Sequence, residues 1–181
     1  MQIISVYPGD EGIGEIQNLM TEYLQTEYKE AVKNDPAAIQ KFNREISNLP
    51  GEYAAPEGLL LLAKECECST GCVALRKIGE TVCEMKRLYV KPEFRGKKIG
   101  KRLTQALIEK ASKMGYHKMR LDTTPSMKQA IQLYHSLGFK EIQKYREVPT
   151  SCSIFMEMKL SLTSLKQQKR KNLPAAETKH T

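Results

Sequence analysis

A run of five apolar residues, Leu59 to Ala63, constrains the fold of this chain most strongly. An uninterrupted apolar run of this length, bounded by turn residues, is typical of a strand that is covered on both faces. Two further strand-like segments follow, Cys72 to Leu75 and Val82 to Val90. We predict turns between them at residues 69–71 and 78–81, where small and polar residues collect. The three segments are therefore expected to be antiparallel neighbours in one sheet.

The third of these strands contains a break in its alternation. Cys83 and Met85 share one face, but the next apolar residues, Leu88 and Val90, have the opposite parity. A β-bulge at Lys86-Arg87 would shift the inward-facing positions by one residue and bend the strand. The alternative is a strand that is polar on both faces near its edge. Bulges often border active sites, so we take this strand as a candidate wall of one.

Helical periodicity marks the segments on both sides of these strands. Asp35-Pro36 is a typical helix start, and Ser126 to Gln129 matches a capping box. Gly115 and Gly138 are typical helix stops. The predicted helices contain Ile13 to Leu24, Ile39 to Leu49, Lys97 to Met114 and Ala130 to Leu137, and further short strands are expected at residues 2–7, around Met119 and Leu121, and at 139–143 and 153–159. The order predicts a mixed α/β domain over residues 1–160, followed by a basic tail at 161–181.

Composition and charge restrict the function classes. The chain has 181 residues and a net charge of +8, and half of this excess lies in the tail, where five basic residues face one glutamate. The modest charge of the remaining domain suits a phosphate-bearing ligand at least as well as nucleic acid. There is no apolar run near the ~20 residues that cross a bilayer, and no signal-like N-terminus. We therefore expect no membrane partner and a cytoplasmic location.

The five cysteines do not form a convincing disulfide or metal pattern. Their odd number, together with the absence of a signal segment, favours reduced thiols. Cys66, Cys68 and Cys72 lie close together, but a zinc site usually pairs two such residues with a second Cys or His pair. Histidine is absent from this stretch. We predict small strand residues here and no metal, with zinc binding as the alternative.

The segment Arg95 to Arg102 is a candidate phosphate site because it lies between a strand and an amphipathic helix. A helix N-terminus offers unpaired N–H groups and the positive end of the helix dipole. Gly96 and Gly100 allow close approach of a ligand, and the basic side chains add positive charge. The spacing differs from both the Walker A loop and the dinucleotide fingerprint. The alternative is a solvated basic helix start.

Together, these residues resemble the GNAT family of N-acetyltransferases. The stretch Leu88 to Leu103 is similar to the family's strand, phosphate loop and helix, with Arg95 and Gly100 in the first and last slots of its [QR]-x-x-G-x-[GA] motif. Lys98 replaces the middle glycine, and we expect it to adopt a helical conformation in the first turn. Ala130 to Phe139 independently resembles the family's A-x-x-L-Y-x-x-x-G-F motif, although Met127 stands where many relatives carry Asn.

The resemblance implies the acyl-CoA N-acyltransferase fold, in which a central mixed, mostly antiparallel sheet has helices on both faces and a splayed, bulged fourth strand. It implies acetyl-CoA as cosubstrate, with pantetheine bound along that strand and pyrophosphate at the loop. The implied cofactor-binding residues are Leu88, Tyr89, Val90, Arg95, Gly96, Lys97, Lys98, Ile99, Gly100 and Lys101.

Glu84 and Tyr134 are the catalytic candidates. Amine acetylation needs a base for the ammonium and benefits from an acid for the leaving thiolate. Glu84 precedes the predicted bulge and resembles the family's base position, although a cross-strand ion pair is the alternative. Tyr134 matches the family's acid position, and simple burial of an aromatic residue is the alternative. A cysteine nucleophile is not needed, because Cys83 has no evident His partner.

The acceptor is poorly determined by the sequence. By resemblance, the loop 49–58 and the segment 145–149 wall its pocket, which makes Tyr53, Tyr145 and Arg146 candidate substrate-binding residues. A small-molecule amine and another acceptor both stay open, as does a homodimer. Two rival functions also remain at this point, an inactive CoA sensor on the same fold and a basic nucleic-acid-binding module. Against the latter, the helix that follows these charges has an apolar face to bury.

Overall fold

A computed structural model describes residues 1–29, 32–147 and 153–160. The predicted tail 161–181, Cys152 and the end of the 145–149 segment lie outside these residues. In chain order the elements are β1 Gln2–Val6, α1 Gly12–Tyr23 with a π-helical extension Leu24–Tyr28, α2 Pro36–Ser47, β2 Leu59–Glu65, β3 Cys68–Lys77, β4 Val82–Val90, α3 Ile99–Lys113, β5 Lys118–Thr123, α4 Lys128–Leu137, β6 Lys140–Ile142 and β7 Ile154–Lys159.

The strands form one seven-stranded sheet in the order β1-β2-β3-β4-β5-β7-β6. Neighbouring strands are antiparallel except β4 and β5, which are parallel. The predicted mixed, mostly antiparallel sheet is therefore confirmed. A parallel pair needs a crossover connection, and α3 supplies it between β4 and β5.

Strand β2 is buried on both faces, as its apolar run predicts. Leu59, Leu61 and Ala63 pack into a core with α3 and α4. Leu60 and Leu62 pack into a second core with α1 and α2. The two faces of one strand therefore join two helical layers, and the sheet lies between them. Within the described residues, no helix is long and apolar enough to cross a membrane.

Two local predictions are wrong. Residues 69–71 do not form the first hairpin turn, because β3 begins at Cys68 and the chain reverses earlier, at Cys66, which has φ of +54°. Thr70 instead belongs to the strand, where its buried hydroxyl donates to the Ala63 carbonyl at 3.1 Å. The capping box at Ser126 is also absent. Met127 is the N-cap of α4, without a side-chain cap, and the Ser126 hydroxyl bonds to Thr124 Oγ1 at 2.8 Å.

The predicted β-bulge is present in β4. Cys72 pairs with Tyr89 and Ala74 pairs with Lys86, so that two residues, Arg87 and Leu88, stand opposite Val73 alone. Arg87 adopts φ of +58°, in the left-handed region. Beyond the bulge, no strand of the described residues pairs with the second edge of β4, because its pairing with β5 covers only residues 82–84. The two parallel strands therefore diverge, and a cleft opens between them.

Close contact between β3 and β4 just beyond the bulge, where Gly71 pairs with Val90, depends on this glycine. A Cβ at this position would lie 2.5 Å from the Tyr89 carbonyl oxygen. We expect Gly71→Ala to reduce the free energy of unfolding by about 1–3 kcal/mol through overpacking. Gly14→Ala in α1 is the control, because its Cβ would meet no atom within 4 Å. The control should leave stability unchanged or raise it by up to ~1 kcal/mol. Equal unfolding midpoints in urea for the two variants would contradict this packing.

Candidate active site

The cleft between β4 and β5 contains a cavity of about 860 Å³. Its walls are the free edge of β4, the loop before α3 and the first half of α4. Nine of the ten predicted cofactor residues line it: Leu88, Tyr89, Val90, Arg95, Gly96, Lys98, Ile99, Gly100 and Lys101. Lys97 does not line the cavity. Its ammonium lies 3.0 Å from Glu65 Oε2 instead.

Unpaired backbone amides form one end of this cavity. Among the described residues, no hydrogen bond is found for the amides of residues 96–101, because α3 begins at Ile99 and its first turn has no preceding carbonyls. Gly96 has φ of +81°, which turns the chain sharply into the helix. A row of N–H groups at a positive helix end is a suitable place for a phosphate.

The expectation that Lys98 is helical is wrong. Lys98 is the N-cap of α3 and has φ of +60°, a left-handed conformation that favours glycine, the residue usual at this position of the family motif. A side chain in this region costs about 1–2 kcal/mol. The loop therefore keeps the backbone shape of the motif at the cost of strain, and its amides stay available.

The Arg95 side chain stabilises the loop before α3 through contacts with other parts of the protein. Its Nε donates to the Val90 carbonyl at 3.1 Å, and its guanidinium pairs with Glu27 of the π-helical extension. Tyr89 also contributes its backbone to the cleft. Its side chain is buried on the other face, where the hydroxyl donates to Glu22 Oε1 at 2.7 Å. For Arg95 and Tyr89, the main chain is therefore the part best placed to contact a ligand in the cleft.

Tyr134 lies where the cleft meets a second, smaller cavity. Glu27, Leu88, Met127 and Tyr134 line both spaces. The Tyr134 ring is buried and packs edge-on against Phe139 at 5.8 Å between centroids. Burial raises the pKa of Tyr134 above its ordinary value, so its hydroxyl stays protonated and can donate a proton.

The second cavity measures about 130 Å³ and has aromatic and charged walls. Besides Tyr134, its aromatic residues are Tyr23, Tyr28 and Phe42 from α1, its extension and α2. Its charged residues are Glu27, Lys41, Glu45, Glu52, Arg76, Lys86, Arg87, Asp122 and Arg146. A small polar molecule could reach Tyr134 from this side while a larger ligand fills the cleft.

Glu84 is fully buried and holds several cations together. Its Oε1 accepts from Tyr145 Oη at 2.5 Å and from Arg146 Nε at 2.8 Å, and its Oε2 accepts from Arg76 Nε at 2.7 Å. Burial alone would raise the pKa of this carboxyl, but the charges of Lys86 and Arg76 and the Tyr145 hydrogen bond lower it. Glu84 is also absent from the lining of both cavities. Its base role stays a prediction, and its geometry favours positioning.

Of the three predicted substrate-binding residues, Arg146 lines the smaller cavity. It bridges Glu84 and Asp122, donating to Asp122 Oδ1 at 2.5 Å. Tyr53 is buried and donates to Glu45 Oε1 at 2.6 Å, and Tyr145 is held by Glu84. Tyr53 and Tyr145 therefore support the charged wall from behind.

Comparisons with known proteins agree with this architecture. The sequence model of the Acetyltransferase (GNAT) family matches residues 16–139. This chain belongs to the GNAT family. An uncharacterised N-acetyltransferase of Schizosaccharomyces pombe is 34% identical over 160 residues, which cover 87% of this chain and 94% of the relative. The protein is therefore an acyltransferase.

Two solved GNAT structures with bound ligands share the fold. PaiA N-acetyltransferase of Thermoplasma acidophilum, in complex with coenzyme A, has a TM-score of 0.65 and 24% identity, covering 88% of this chain and 99% of its own. YncA of Salmonella typhimurium, with its cofactor acetyl-CoA, has a TM-score of 0.62 and 21% identity, covering 88% and 95%.

Several side chains that line this GNAT site are not among the predicted site residues, including Lys86, Arg76 and the three discussed next. Asp122 lines the smaller cavity, and both hydrogen bonds found for it, from Lys86 and Arg146, are on Oδ1. Thr123 lines the same cavity with a buried hydroxyl that has no partner within the described residues. Arg87 forms part of the bulge, and the break in the alternation of β4 is the sequence signal for it. For Asp122 and Thr123 the sequence signal is the resemblance of Leu121-Asp122-Thr123 to a close subgroup of the family.

The four cysteines in the described part of the chain take no evident part in the site. Burial raises the pKa of Cys72 and of Cys83 to about 12, so both thiols stay neutral and poorly nucleophilic. Cys66 and Cys68 are exposed at the first hairpin. In the described part of the chain, no group of three His, Cys, Asp or Glu side chains is arranged to hold a metal ion.

Proposed function

We propose that the protein transfers the acetyl group of acetyl-CoA to a primary amine by direct attack in a ternary complex. The observation that carries this proposal is the open edge of β4, which leads from the unpaired amides of residues 96–101 to Tyr134. The coenzyme A and acetyl-CoA bound in the two structural neighbours support the same ligand here.

The cofactor binds along the cleft in this proposal. Its pyrophosphate accepts hydrogen bonds from the amides of residues 96–101, and its pantetheine amides pair with the main chain of Leu88 and Val90 as an added strand would. The thioester then reaches the junction of the two cavities, beside Tyr134. The acceptor amine enters through the smaller cavity. Holding the two reactants together can contribute about 7–11 kcal/mol to the acceleration.

Proton transfer at the junction involves two residues. The amine nitrogen attacks the thioester carbonyl, the C–S bond breaks, and the Tyr134 hydroxyl gives its proton to the departing thiolate. Attack leaves the nitrogen positively charged, and its proton passes to Asp122, which lines the acceptor cavity and keeps Oδ2 outside its hydrogen bonds to Lys86 and Arg146. Return of a proton through solvent from Asp122 to the Tyr134 phenolate restores both groups. Burial would raise the pKa of Asp122, but the charges of Lys86 and Arg146 lower it, so the carboxylate is ionised at neutral pH.

The proposed activity can be tested by thiol release from acetyl-CoA with a panel of amines. Removing the acid in Tyr134→Phe should lower kcat by about 10²–10⁴ while leaving CoA affinity intact in calorimetry. Asp122 is already deprotonated and Tyr134 still protonated between about pH 5 and 9. In a plot of kcat/KM against pH, the rising limb should therefore follow the pKa of the acceptor amine. It should move to lower pH when a less basic amine is used. Thiol release by Tyr134→Phe at the wild-type rate would remove Tyr134 from its role.

The variants Asp122→Asn and Glu84→Gln distinguish the roles of the two carboxylates. We expect Asp122→Asn to lower kcat by about 10²–10³, because it removes the proton acceptor. Glu84→Gln should chiefly raise KM for the acceptor and lower the melting temperature, because it loosens Arg76, Tyr145 and Arg146. A collapse of kcat in Glu84→Gln with near-normal turnover in Asp122→Asn would restore Glu84 as the base.

A further inference from the structure

The wall of the acceptor cavity carries an unbalanced buried charge. Four cations gather there, Arg76, Lys86, Arg87 and Arg146, and none of their side chains is more than 26% exposed. Three comparably buried carboxylates face them, those of Glu45, Glu84 and Asp122. Among the described residues, one positive charge is therefore in excess in the buried part of this wall.

Two further carboxylates line the cavity, those of Glu52 and Glu27, but neither neutralises this excess positive charge. Glu52 touches Arg76, but its side chain is 50% exposed, so solvent screens it. Glu27 is paired with Arg95 of the phosphate loop. Burial lowers the pKa of Lys86, and Arg87 and Arg146 add to this effect against the opposing charge of Asp122. A buried cation without full compensation is costly, and an anion from outside would relieve it.

Two polar groups of this wall have unused hydrogen-bonding capacity. The hydrogen bond found for Lys86 within the described residues is the one to Asp122 Oδ1 at 2.9 Å, which uses one of its three N–H donors. The Thr123 hydroxyl is buried and has no partner in the same part of the chain. Buried hydroxyls are normally hydrogen-bonded, so this one is suited to a ligand atom.

We propose that the acceptor is a small amine that carries its own carboxylate, a molecule of the amino-acid type. Its carboxylate binds at Lys86 within the cationic wall, and a polar atom of the same molecule bonds to Thr123. The small volume of the cavity, about 130 Å³, keeps amine and carboxylate close together. Polyamines are disfavoured, because a second ammonium group would add to the excess positive charge. This inference rests on the proposed acetyl transfer.

The test is a comparison of matched acceptors with the full-length protein and acetyl-CoA. Free amino acids are screened by thiol release, and the best one is compared with its carboxamide and its decarboxylated amine. We expect kcat/KM to fall by about 10- to 100-fold when the carboxylate is removed, as for the loss of hydrogen bonds to a charged group. Equal or better turnover of the carboxamide, or a preference for a diamine, would overturn the proposal.

Variants of Lys86 and Thr123 test whether these two residues bind the acceptor. Lys86→Met should reduce the ratio of kcat/KM between the amino acid and its carboxamide towards one. Lys77→Met is the control, because it removes the same charge from a half-exposed site that pairs with Glu57 outside the cavity. The control should keep the ratio. Thr123→Val should raise KM for the amino acid about tenfold without lowering the melting temperature, because its hydroxyl has no partner to lose in the free protein. An unchanged ratio in Lys86→Met would contradict the assignment.

A binding measurement separates this inference from the proposed function. N-acetyl amino acids and their amides are titrated calorimetrically into the CoA-saturated protein. Preferential binding of the acids without thiol release from any amine would refute acetyl transfer but keep the anion site. Thiol release with equal binding of acids and amides would keep the transferase and refute the anion site.

Discussion

The left-handed conformation of Arg87 is the constraint on which the rest of the site depends. A side chain at φ of +58° costs about 1–2 kcal/mol, and the surroundings offset this strain. Glu45 of α2 accepts two hydrogen bonds from the guanidinium, at 2.6 and 2.7 Å, and the Phe42 ring lies 3.8 Å from its central carbon. Helix α2 therefore holds the bulge in place. The bulge bends β4 away from β5, and this divergence produces the cleft.

The same bend connects the two halves of the site. On one side the free edge of β4 leads to the unpaired amides before α3, and on the other the bulge carries Arg87 and Lys86 into the acceptor wall. Tyr134 lines both the cleft and the smaller cavity. A ligand with phosphates and a small charged ligand can thus meet at one hydroxyl without competing for space. In the proposed mechanism, the bulge in β4, rather than any single catalytic residue, determines where the two reactants come together.

The sequence predicts those features that depend on local pattern. The apolar run of β2, the parity slip in β4, the helix stops at Gly115 and Gly138 and the loop before α3 are all local signals, and the structure contains each of them. The environment of Glu84 was not predictable in this way. Its partners Tyr145 and Arg146 lie about 60 residues further along the chain, so their contacts arise from tertiary structure alone. The backbone conformation of Lys98 differs from the prediction for another reason. The loop keeps a left-handed, glycine-like conformation at a position where the residue is a lysine.

A crystal structure with bound coenzyme A tests the central claim most directly, because it shows which backbone groups the divergence of β4 and β5 makes available. We predict pantetheine amides hydrogen-bonded to the main chain of Leu88 and Val90, pyrophosphate oxygens on the amides of residues 96–101, and the sulfur beside the Tyr134 hydroxyl. Coenzyme A bound elsewhere, or a β4 edge that closes onto β5 when the ligand is present, would contradict it.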